Sequence, residues 1–172
     1  MALYGERGFE NTTVAEIAER AGLTERTFFR HFADKREVLF AGSNELQERL
    51  VSTVAGAPAD ASPLDAVAAG IEALGDVLPD RPETSRARQA IIAASAELQE
   101  RELIKLASLS AALAATLRER GLSAPAASLT AEIGMAVFRT AFERWIDETD
   151  GRDFAEHVRE ALGEVRALAA SG

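Results

Sequence analysis

Thr12-Thr13-Val14-Ala15-Glu16-Ile17-Ala18-Glu19-Arg20-Ala21-Gly22-Leu23-Thr24-Glu25-Arg26-Thr27-Phe28-Phe29-Arg30-His31-Phe32-Ala33-Asp34-Lys35 decides the reading of this chain. A first helix begins at Thr13, whose hydroxyl can accept from the unpaired N–H groups of the first turn, and Glu16 completes a capping box. Val14, Ile17, Ala18 and Ala21 recur at spacings of three and four, so one face is apolar. Gly22 tolerates the positive φ of a helix end, and Leu23 is expected to plug the corner. Thr24 caps a second helix, in which Phe28 and Phe32 point inward with Ile17 and Leu23. Glu25, Arg26, Phe29 and Arg30 are left outside.

Two short helices around a glycine turn are the layout of a helix-turn-helix, whose second helix enters the DNA major groove. An Arg near the start of that helix, here Arg26, can pair bidentately with guanine. Thr13, Thr24, His31 and Lys35 can donate to phosphates. Phe29 suits a thymine methyl or a sugar, and Arg30 a base or the backbone. The same spacing also fits an ordinary helical hairpin with Arg26 and Arg30 solvated.

The run resembles the DNA-binding domain of the TetR family of bacterial regulators. The matching residues are Gly8-Phe9, Thr12-Thr13-Val14, Ile17-Ala18, Ala21-Gly22, Thr27-Phe28-Phe29-Arg30-His31-Phe32 and Lys35. The resemblance implies phosphate contacts at Thr13, Thr24 and Lys35, and a base- and sugar-facing set of Glu25, Arg26, Thr27 and Phe29. Many members carry Tyr where Phe29 stands, so that hydroxyl contact is lost here. Members also have a longer first helix, often preceded by a basic arm. Here Met1 to Arg7 precede Gly8-Phe9, so either the chain is shortened or Met1 lies inside a longer natural chain.

The chain has 172 residues, 47% of them apolar, which suits one or two compact domains with a substantial core. No apolar run is long enough for a bilayer, no secretory signal is visible, and cysteine is absent. A cytoplasmic bacterial protein is expected. The net charge of −9 looks wrong for a duplex partner. It is unevenly spread: residues 1–40 hold six basic and seven acidic side chains, the rest thirteen and twenty-one. The basic groups of the first part cluster at Arg26, Arg30, Lys35 and Arg36, the expected DNA side. Only two of the nineteen basic residues are lysine and alanine abounds, a bias that suits a GC-rich genome.

The whole is expected to be all-α: a helix-turn-helix head over 1–40, its first helix short, and a helical ligand-binding and dimerisation bundle over 41–172. Arg36 to Val54 reads as one helix with Val38, Leu39, Leu46, Leu50 and Val54 inward. Ser62-Pro63 opens another. Pro79-Asp80-Arg81-Pro82 breaks the chain, and Glu83–Ser95 and Ala96–Arg120 form two helices or one bent one. A long helix runs from Ser123-Ala124-Pro125 to about Thr149, and Asp153 caps a last one to about Ala170. The long helix is apolar on most sides, which demands burial on several faces. A second copy covering one face supplies that burial, so a homodimer through the last two helices is expected, as in TetR-type proteins.

The resemblance also implies a small, often apolar effector in the body that alters the spacing of two heads on a palindromic operator. Candidate lining residues are Phe40, Ile92, Leu106, Leu109, Phe138, Phe142 and Trp145, all equally suited to plain core. Arg81, Arg86 and Arg88 suit either an anionic ligand head or a solvated face. Glu143, Asp147, Glu148 and Asp150 read as solvated helix-end charge. His31 and His157 are the only histidines, and with no cysteine they make a poor zinc site. No catalytic ordering, phosphate-binding glycine loop, metal site or cofactor is expected. The reading is a ligand-relieved transcriptional repressor; its rivals are a helical ligand-binding protein that no longer binds DNA and, less well supported, a helical enzyme.

Overall fold

A computed structural model describes residues 1–79, 82–147 and 151–171. Thr149, Arg81, Glu148 and Asp150 lie outside the described residues. The described chain is helical without a strand: α1 (Ala2–Arg7), α2 (Val14–Arg20), α3 (Glu25–His31), α4 (Ser43–Ala55), α5 (Pro63–Glu72), α6 (Pro82–Ala93), α7 (Ala96–Glu119), α8 (Ala124–Asp147) and α9 (Phe154–Ala170). Single 3-10 turns stand at Lys35–Val38 and Ala73–Asp76. No described helix is long and apolar enough to cross a membrane.

Caps set most of these boundaries. Ser62 accepts from the Asp65 N–H while Pro63 takes the first helical position, whose N–H would be unpaired anyway. Asp153 and Glu156 form a reciprocal capping box at α9. Gly121, at φ 97°, lets the chain leave α7, and the Leu122 N–H then closes on the Leu117 carbonyl at 3.2 Å.

The chain packs as two compact units, Met1–Ser43 with Glu83–Lys105, and Asn44–Pro82 with Leu106–Gly172. The unit holding the head is therefore larger than the 1–40 read from sequence. Its core joins Tyr4, Phe9, Leu39 and Phe40 to Ile92 and Leu98 from α6 and α7. Ion pairs surround that core. Glu37 receives Arg101 at 2.6 Å and Lys105 at 3.4 Å, and the Arg101 guanidinium holds the Glu37 carboxyl below the usual carboxylate range. Half-buried Arg88 donates to the Leu39 carbonyl at 2.8 Å, pairs with Glu102 at 3.3 Å and stands 5.1 Å from the centre of the Phe40 ring. Burial lowers its pKa, opposed by Glu102. Arg88 is thus paired within the first unit and does not stand on a wholly solvated face.

The single helix expected over Arg36–Val54 is not formed. After the 3-10 turn the backbone leaves the helical path, with Gly42 at φ 131°, and α4 starts only at Ser43. The continuous apolar stripe hides a change of partner. Val38 and Leu39 join the first core, whereas Leu46, Leu50 and Val54 join the second.

In the second unit, Leu50, Val54, Val67, Ile71, Leu113, Leu117, Ala131, Met135 and Val158 form the centre. α5 approaches α4 and α8 closely because glycine stands at both crossings. A Cβ on Gly70 would lie 2.6 Å from Val54 Cγ2, and one on Gly134 would lie 2.5 Å from Val67 Cγ1. Arg120 closes the far end of α4, donating to the carbonyls of Val54, Ala55, Ala57 and Pro58 at 2.8–3.4 Å. A cation there satisfies carbonyls that a helix end leaves unpaired and opposes the negative pole of its dipole.

Candidate nucleic-acid interface

α2 and α3 are each seven residues long, so packing and capping must hold them. Thr13 accepts from the Glu16 N–H at 3.3 Å, and its own N–H reaches the Glu16 carboxylate at 2.8 Å. The Thr13 hydroxyl proton also goes to that carboxylate, at 2.9 Å. These bonds from Thr13 are the main reason the Glu16 carboxyl titrates below its ordinary value. Thr13 is thus committed to the cap. After α2, Gly22 adopts φ 68°, and the Leu23 N–H returns to the Ala18 carbonyl at 2.8 Å. Leu23 does not plug the corner: it is 45% exposed, because that turn carries its side chain outward while Phe28 fills the interior.

Thr24 caps α3, accepting from the Thr27 N–H at 3.2 Å, with the two hydroxyls 3.1 Å apart. Phe28 is buried and meets Phe32 at 5.2 Å between ring centres, while Phe32 itself is half-buried. These two rings fix the inward side of α3. At about 100° per residue, Arg26 and Arg30 then stand opposite these rings, Phe29 lies to one side, and Glu25 at the helix start falls next to Phe32 in projection. All four are exposed, as is His31, and Thr27 is half-buried at the margin. Among the described residues, no hydrogen-bond or ion-pair partner appears for Arg26 or Arg30.

Lys35, expected at a phosphate, is held by groups within the protein. Its ammonium donates to the carbonyls of Phe9 at 2.9 Å, Thr12 at 3.1 Å and Glu10 at 3.5 Å, and stands 4.2 Å from the centre of the Phe9 ring. A lysine ammonium has three protons, and all three have acceptors inside the protein. Buried Tyr4 adds to the same seam by donating to the Lys35 carbonyl at 2.5 Å. Burial raises the Tyr4 pKa, with Asp34 contributing in the same direction. Sequence reasoning missed this seam because its partners are backbone atoms. We expect Lys35→Met to lower unfolding stability by about 1–3 kcal/mol while leaving the salt dependence of duplex binding intact. An unchanged denaturation midpoint with a flattened salt slope would return Lys35 to the phosphate-binding set.

The seven ligand-lining candidates do not share one place. Phe40 and Ile92 belong to the core of the first unit. Leu106, Leu109, Phe138, Phe142 and Trp145 belong to that of the second. There Phe138, Phe142 and Trp145 form a chain of rings with Phe154, centres 5.8–6.1 Å apart. Two shallow cavities of ≈ 180 and ≈ 190 Å³ lie in the first unit beside α1, and none of the seven residues lines them. His157 is buried on α9, and no cluster of metal-ligating side chains occurs among the described residues.

A capped helix pair with a glycine turn, presenting two arginines without a partner among the described residues, is a helix-turn-helix head. Residues 1–41 match the family model of bacterial regulatory proteins of the tetR family, and residues 61–170 match the MftR C-terminal domain. The chain belongs to the TetR family of transcriptional regulators. It is 36% identical over 74 residues to the HTH-type transcriptional regulator TcmR of Streptomyces glaucescens, covering 43% of this chain and about a third (33%) of TcmR. With the HTH-type transcriptional regulator EthR of Mycolicibacterium smegmatis it shares 30% identity over 159 residues, 87% of this chain and 72% of EthR. Among solved structures, a transcriptional regulator of Aquifex aeolicus superposes with a TM-score of 0.55 at 17% identity, covering 97% of this chain and 93% of that one. The fold is thus shared well beyond the helix-turn-helix.

Proposed function

We propose that this protein is a cytoplasmic repressor that binds a palindromic operator as a homodimer and leaves it when a small effector enters the second unit. The carrying observation is the outer side of α3, where Glu25, Arg26, Phe29 and Arg30 are exposed around a helix fixed from behind by Phe28. Arg26 is assigned to a base edge, Arg30 to a base or phosphate, and Thr24 and His31 to phosphates. Thr13 contributes by setting the start of α2.

Dimerisation is assigned to α8 and α9, where Leu129 is 64% and Leu168 76% exposed. An apolar effector is assigned to the aromatic chain of Phe138, Phe142, Trp145 and Phe154. Binding there brings the effector against these rings. Trp145, the only tryptophan, then reports it by a change in emission.

The test is fluorescence anisotropy with duplex from upstream of the protein's own gene, at two salt concentrations, against a scrambled duplex. We expect selective binding that weakens steeply with salt. Equal affinity for the two duplexes, or none for either, would remove the regulator reading.

A further inference from the structure

We infer that Phe29 is a specificity-determining residue that reads the C5-methyl group of a pyrimidine in the operator. The inference rests on α3 being the DNA-contacting helix and adds what one position on it selects. Phe29 is 54% exposed, although an aromatic ring gains most from burial. Its ring is also held in place. It meets Phe28 edge-on, with centres 5.4 Å apart and planes at 89°, and Phe28 is only 2% exposed and backed in turn by Phe32. The outermost ring of this stack therefore loses little freedom when something covers it.

The chemistry of the cover follows from the neighbours. Phe29 lies between Glu25 and Arg26 around the helix, with Arg30 beyond. The two guanidiniums have no partner among the described residues and draw the surface toward a polyanion. In the major groove a phenyl ring can accept no base hydrogen bond, and the apolar group available there is the pyrimidine C5-methyl. Thymine and 5-methylcytosine both carry it. On either side, Arg26 matches the N7 and O6 acceptors of guanine and Glu25 matches the N4 donor of cytosine. The three side chains thus describe a short recognition element in which a methylated pyrimidine is flanked by G·C pairs.

The experiment uses the full chain and an operator selected from random duplexes. Each thymine is replaced in turn by deoxyuridine, and in a second series each cytosine by 5-methylcytosine. Loss of the methyl at one position per half-site should weaken binding about fourfold per half-site, and Phe29→Ala should be insensitive to the same replacement. Phe29→Leu, which keeps apolar bulk, should retain part of the sensitivity. A thymine whose methyl matters identifies the natural group as thymine, while a cytosine whose methylation strengthens binding identifies 5-methylcytosine. Indifference to methyl groups at every position, or equal sensitivity in Phe29→Ala and the parent, overturns the assignment. Should no selective duplex emerge, the DNA-binding reading fails first, and Phe29 with it.

Discussion

Arg26→Ala will lose about 1–3 kcal/mol of operator affinity per half-site and relax the preference at a single base position. The loss should be concentrated in selectivity. Arg26 is exposed and has no partner among the described residues, so its removal leaves no buried group there unsatisfied. Stability should therefore change by less than about 0.5 kcal/mol. Anisotropy against operators altered at each position, with urea unfolding of the same protein, separates the two effects. A variant that binds the operator as tightly as the parent would take Arg26 off the bases. A uniform loss on every duplex would make it a phosphate contact instead.

The second large effect concerns the body. Gly134→Leu should lower unfolding stability by about 3 kcal/mol or more. The first added carbon alone would stand 2.5 Å from Val67 Cγ1 and 3.4 Å from Leu113 Cδ2, and three further carbons follow it into the same space. α5 and α8 must then separate, and the apolar contacts across their crossing are lost with them. Gly163 supplies the control of opposite sign. It lies on the exposed side of α9, where an added Cβ meets nothing within 4 Å. Gly163→Ala should gain up to about 1 kcal/mol, since alanine loses less backbone entropy in a helix than glycine. If both replacements proved equally harmless in urea titrations, the close approach at Gly134 would not be a packing constraint.

These contrasts also show which features local sequence announces. The Thr13–Glu16 capping box was legible because both partners sit within one turn, and it forms as read; Asp153 caps α9 as expected, and Glu156 completes a box there that the sequence reading did not name. The inward Phe28 and outward Phe29 followed from helical period alone. The break before α4 did not, because Val38, Leu39, Leu46, Leu50 and Val54 keep a helical rhythm across a glycine that turns the backbone away. Lys35 was opaque for a different reason. Its acceptors are carbonyls more than twenty residues distant, and a carbonyl has no letter in the sequence. Phe40 and Ile92 looked like pocket residues because burial in any core and burial against a ligand demand the same apolar side chains.

The division of the first core has a practical bearing on how such chains recombine. Tyr4, Phe9, Leu39 and Phe40 depend on Ile92 and Leu98, which arrive long after the helix-turn-helix has been completed. A head cut at Ser43 and grafted onto a foreign body would carry part of an apolar interior and ask the new host for the rest. Chimeras should therefore exchange Met1–Ser43 together with Glu83–Lys105, two strips of chain as one part. What looks like a portable reading head is a discontinuous module, and its heredity is tied to a segment far along the chain.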